Sequence, residues 1–150
     1  MKKILLAIGN ELKGDDGAGI IVGKYVQDMC ENEWIVYIAG MSPEAYIFKI
    51  IKEKPDLLVI VDATLMNKKP GEFYIVPLEK VAKELMISTH RIPMDILISL
   101  LKENCKRIYF IGVQPKILEF GEPTKEIIDS CQKIAKILCE GGLDKIEVLK

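Results

Sequence analysis

Apolar positions along the chain follow two rhythms, one suited to strands and one to helices. "KILLAIG" (3–9) is a continuous apolar run, as expected of a parallel strand covered on both faces. From Ala18 to Met29 the rhythm changes, and Ala18, Ile21, Val22, Tyr25, Val26 and Met29 recur at helical spacing on one face. "WIVYIAG" (34–40) reads as a second strand. "PEAYIFKIIKEKP" (43–55) reads as a helix that opens with Pro and Glu and stops at Pro55. "DLLVIVDAT" (56–64) is the best strand of the chain. "NKKPGEFYIVP" (67–77) predicts a Pro-Gly turn and a strand that runs antiparallel at an edge. One or two helical turns follow in 78–85. "MISTHRIP" has no period, 94–104 is an amphipathic helix and "RIYFIGV" (107–113) is a fifth strand. A long helix over 123–142 opens at Pro123 and Thr124 and closes at Gly141 and Gly142. Strands alternating with helices predict an α/β domain.

Length and composition narrow the class. The 150 residues suit a single domain, 1–150, and no repeat or linker interrupts them. A net charge of −1, with Lys and Glu scattered singly, leaves no electrostatic footprint for nucleic acid or an anionic membrane. No stretch approaches the roughly 20 apolar residues that span a bilayer. "MKKILLAIGNEL" imitates a signal peptide only until Gly9, so the cytoplasm is the expected location. Cys30, Cys105, Cys131 and Cys139 form no C-x-x-C pair and are expected to be buried or half-buried thiols.

The candidate chemistry begins at "GNELKGDDG". Gly9 and Gly14 give the G-x-x-x-x-G frame of a phosphate loop, but Asp15 and Asp16 stand where Lys and a hydroxyl residue belong. Two carboxylates would repel phosphate by on the order of 1–4 kcal/mol, so nucleotide binding is a weak third reading. One Asp could simply cap the following helix; the second is surplus and suits a cation. Asp62 follows the apolar run Leu57–Val61, at the mouth of a buried strand. It could cap or bond a backbone amide, or share a cation with Asp16. Because ligands in open α/β sheets sit outside the carboxyl ends of the strands, Asp16 and Asp62 are expected at one crevice. The only histidine, His90, could be an ordinary loop residue or the third donor for a borderline divalent metal.

"GNELKGDDGAG", "VDAT" followed by "PGE", "STHRIP" and "IGVQP" occur together, in this order, across nearly the whole chain. In these motifs the sequence resembles the [NiFe]-hydrogenase maturation endopeptidases, and most closely the type that processes hydrogenase-3-like large subunits. The resemblance implies a twisted, mostly parallel five-stranded sheet sandwiched between helices (three layers, αβα). It implies an endopeptidase, of the aspartyl-type class, that removes a C-terminal extension from the hydrogenase large-subunit precursor after nickel insertion. Nickel would arrive in the substrate, and other divalent ions could enter the same site. The family's metal-contacting, catalytic positions fall on Asp16, Asp62 and His90; Asp15 is left a supporting or capping role. Ala39 stands where the family often has an acid, which touches substrate identity and not reaction class. A monomer is the expected state. A non-catalytic nickel-sensing adaptor for the same large subunit could use the same three residues. A cysteine nucleophile is disfavoured because the cysteines fall in or beside helices, and neither a G-x-S-x-G elbow nor an H-E-x-x-H helix occurs.

Overall fold

Alternation within the strands decides which side of the sheet each helix covers. The computed structural model describes residues 1–81 and 94–150. In these residues the strands are β1 (Lys3–Ile8), β2 (Ile35–Gly40), β3 (Leu57–Ala63), β4 (Phe73–Val76) and β5 (Ile108–Val113). They form one sheet in the order β2-β1-β3-β5-β4, parallel except for β4, which pairs antiparallel with β5. Leu5, Val59, Val61, Ile111 and Val113 point to one face, and Ile4, Leu6, Leu58, Ile60 and Phe110 to the other. Each face therefore carries its own apolar core.

On the first face lie α1 (Ala18–Cys30) and α5 (Lys125–Cys139), which bury Val22, Val26, Ile127, Ile134 and Leu138. On the second lie α2 (Ile47–Glu53), α3 (Leu78–Val81) and α4 (Met94–Lys102), contributing Ile47, Ile50, Val81, Leu97 and Leu101. The result is the expected three-layer arrangement. The β4 edge is covered in turn by the chain's last residues: Ile75 N–H donates to Glu147 O and Leu149 N–H to Ile75 O, each at 2.8 Å. Covering an edge this way removes a template for unwanted strand pairing.

Two expectations need correction. The helix read over 43–55 is a 3₁₀ turn, Pro43–Tyr46, that passes into the shorter α2. Lys54, in the left-handed region at φ 47°, ends it. The cysteines are not all thiols: Cys30 and Cys139 form a disulfide, with Cα atoms 5.9 Å apart. The reason is packing. α1 and α5 lie side by side, and each ends on its cysteine. No helix among the described residues is long and apolar enough to cross a membrane.

The chain leaves β1 towards β2 on one side and returns through β3 on the other. That reversal lies between β1 and β3, and open α/β sheets take their ligands beyond the carboxyl ends of the strands at such a point. It is the natural ligand position of this fold.

Candidate active site

Backbone hydrogen bonds fold the turn after β1. Gly9 N–H donates to Gly40 O at 2.9 Å and Asn10 N–H to Asp16 O at 3.1 Å, folding the loop back on itself. A 3₁₀ turn, Gly14–Gly17, then leads into α1. The helix starts almost in contact with two strand ends: a Cβ on Gly19 would sit 2.1 Å from Ile8 O and 2.3 Å from Val61 O. Only glycine permits that approach. Its effect is to press the acidic turn against the carboxyl end of β3.

Asp62 is the next residue of β3 after Val61. Its backbone pairs with Gly112 of β5, and its side chain is wholly buried. Asp16 is 3% exposed. Both acids thus come to one end of the sheet at the β1/β3 reversal, as expected. By alternation Asp62 belongs to the face covered by α2, α3 and α4. His90, the expected third member, lies outside the described residues, as does the rest of its segment. Among the described residues there is no cluster of three or more His, Cys, Asp or Glu side chains able to hold a metal.

Asp15 has a different task from capping. Its Oδ2 accepts the N–H groups of Lys116 at 2.8 Å and Ile117 at 2.9 Å. Its Oδ1 accepts the N–H of Thr124 at 2.7 Å, and the Thr124 hydroxyl donates to the same carboxylate. Neither the 3₁₀ turn nor α1 has a side-chain cap. The capping role is therefore overturned. This fully buried carboxylate satisfies backbone donors more than 100 residues away and fastens the loop between β5 and α5 to the acidic turn. A buried charge supplied with several N–H donors is stabilised where a lone one would be costly.

Gln114 performs the same service for the loop after β3. Its side-chain oxygen accepts Met66 N–H at 2.7 Å and Lys68 N–H at 3.3 Å, while its amide donates to Pro115 O. In the sequence Gln114 stands out only as a letter of "IGVQP". Its position directly after an apolar strand was the available signal. Glu44, read only as a first-turn acid, has Oε2 buried in the turn after β2 without a hydrogen-bond partner among the described residues.

The free thiols are poorly suited to nucleophilic attack. Burial, and secondarily the negative charge of Asp15, pushes the Cys131 thiol far above its ordinary value. Its Sγ is within 3.4 Å of Ala18 O. Burial alone raises Cys105 to about 11. Reactive cysteines require the opposite shift. Cys105 also lies before β5, at the far end of the sheet from the acids.

A family model for hydrogenase maturation proteases, HycI, matches residues 21–141. The chain belongs to this family. The matched span includes Asp62 and His90, whereas Asp16 lies just ahead of it. The hydrogenase 3 maturation protease of Escherichia coli K12 is 37% identical over 135 residues, covering 89% of this chain and 86% of that one. The solution structure of the endopeptidase HycI from E. coli superposes with a TM-score of 0.90 at 34% identity, over 100% of this chain and 97% of that one. A crystal structure of HycI from Thermococcus kodakarensis gives a TM-score of 0.82 at 32% identity, covering 94% and 92%. Family membership carries peptidase activity in hydrogenase maturation with it and agrees with the sheet described above.

Proposed function

We propose that this maturation protease removes the C-terminal extension of a [NiFe]-hydrogenase large-subunit precursor once nickel is in place, and that Asp16, Asp62 and His90 recognise the nickel carried by that substrate. The observation that carries the reading is the placement of two almost fully buried acids at the same end of the sheet, beside the β1/β3 reversal, in a chain of this family. Further support comes from chain order. The segment with His90 joins α3 to α4, and these helices cover the face to which Asp62 belongs.

Two carboxylates and an imidazole offer oxygen and nitrogen donors, a set that suits a borderline divalent ion without saturating it. An incomplete set favours recognition of nickel already held by the client over storage of nickel in the protease. Docking the metal against the acids brings the nearby peptide bond to a fixed place, and such positioning can contribute on the order of several kcal/mol. Hydrolysis then needs a water activated beside that bond. One of the two carboxylates is within the chemistry of a general base for it.

The test is to incubate the protein with nickel-loaded and nickel-free precursor and to follow the large subunit by mass. The expected result is a shortened large subunit in the loaded sample only. An unchanged mass under stable binding would instead identify a non-catalytic adaptor, and equal cutting of both samples would remove nickel from the recognition step.

A further inference from the structure

Beside the acidic turn lies a second feature that the chemistry above leaves unused. The loop between β5 and α5 runs alongside residues 10–14, and the two are pinned together: Gly14 N–H donates to Gly121 O at 3.0 Å and Gly121 N–H to Leu12 O at 3.1 Å. Asp15 fastens the same loop from beneath at Lys116, Ile117 and Thr124. Against this pairing opens a cleft of about 530 Å³, lined by Glu11, Leu12, Phe120, Gly121, Glu122 and Pro123.

Its walls are unusual for a solvent-facing surface. Phe120 is 80% exposed and Leu12 is 66% exposed. Two acids and no base line the cleft. Glu11 meets Lys24 at 3.0 Å on its outer side, whereas Glu122 makes no ion pair among the described residues. Large apolar groups held in water by a braced backbone mark an interaction site. A preformed wall also spares the partner the cost of ordering it.

We propose that this cleft docks an extended stretch of the large-subunit precursor, one that sets a basic side chain against Glu122 and apolar side chains against Leu12 and Phe120. The assignment rests on the proposed function, because Leu12 lies only four residues ahead of Asp16 on the same loop. A client whose metal is at the acids has this wall as a neighbour on the same loop. Charge selects the class of occupant: an acidic or purely polar segment gains nothing from a wall made of two carboxylates and a phenyl ring.

The experiment measures both cleavage and binding of the nickel-loaded precursor. Phe120→Ser with Leu12→Ser is expected to raise KM and the dissociation constant roughly tenfold or more, as for removal of an apolar anchor, with kcat within about twofold. Glu122→Gln is expected to weaken binding and to reduce its sensitivity to salt. Phe48→Ser, which removes an equally exposed phenylalanine from α2, serves as control and leaves both constants unchanged. Parental KM and binding in the double variant would overturn the proposal, as would a fall in kcat at constant KM. So would a concentration-dependent dimer in sedimentation that is lost with Phe120, since the occupant would then be a second copy. If the parental protein binds the precursor but leaves it uncut, the proposed function fails while the binding measurements still decide the cleft.

Discussion

At the amino end of the sheet, Lys2, Asp56 and Lys106 meet in water; at the carboxyl end, Asp15, Asp16 and Asp62 sit almost wholly out of it. The first group is a surface ion pair with a backbone donor added. Lys106 Nζ lies 3.0 Å from Asp56, and Lys2 N–H donates to Asp56 at 2.7 Å. Pairs of this kind contribute little, because water screens them and long side chains lose freedom in making them. The second group carries the expense of removing carboxylates from solvent. Unless donors meet it, such an acid costs the fold more than an apolar residue of similar size. One of the three, Asp15, has a structural explanation in its backbone donors. The other two stand where the fold presents ligands. Burial, and not the mere presence of carboxylates, distinguishes the two ends of the sheet.

This contrast can be broken by substitution, and the largest effects belong to the ligand end. Asp62→Asn, Asp16→Asn and His90→Ala are each expected to abolish precursor processing while circular dichroism stays parental. Asp56→Asn at the opposite end should process within about twofold of the parental rate, the usual scale for an exposed pair. Processing by His90→Ala at the parental rate would sink the three-residue site.

Next in size are two changes of stability. Gly19→Ala forces a methyl group into two backbone carbonyls, at 2.1 and 2.3 Å, that cannot withdraw. Urea denaturation should record a loss of about 3 kcal/mol or more, in the range of overpacked positions. Asp15→Ala strips the acceptor from three backbone N–H groups and one hydroxyl. A loss of about 3 kcal/mol is expected by the same measurement. A parental midpoint in Asp15→Ala would mean that the loop after β5 is held by other contacts.

The smallest effect concerns pH. The Lys2 backbone N–H, and then Lys106, hold the Asp56 carboxyl below its ordinary value of 3.8. A depressed folded value stabilises the protein above pH 3.8 and withdraws that support as pH falls through the folded value. Asp56→Asn should therefore narrow its small deficit only in acid, below pH 3.8, when unfolding midpoints are compared across pH.

Periodicity made most of the architecture readable before any coordinates. The unbroken apolar run Leu57–Val61 announced a strand covered on both faces, and with it the place of Asp62. "PGEFYIV" announced an edge strand, and β4 is one, antiparallel to β5. What escaped depends on meetings between remote parts of the chain. The donors on Asp15 come from residues 116–124, and no local pattern reports them. The bond between Cys30 and Cys139 depends on two helices of different length ending level with each other. The break between the 3₁₀ turn and α2 was hidden because Pro43 and Glu44 are good openings for either kind of helix. His90 rested on a segment without period, where hydrophobic spacing offers no guide, and its role remains the proposal made above.

The disulfide has one more consequence. Its two sulfurs are 109 positions apart in the chain, so β2 to β5 and the three helices on the second face all belong to one covalent ring. Closing so large a ring stabilises the folded chain by about 5 kcal/mol on entropic grounds. It also means that a protease nicking the molecule anywhere inside the ring would leave both pieces tethered, to separate only when a reductant opens the bond.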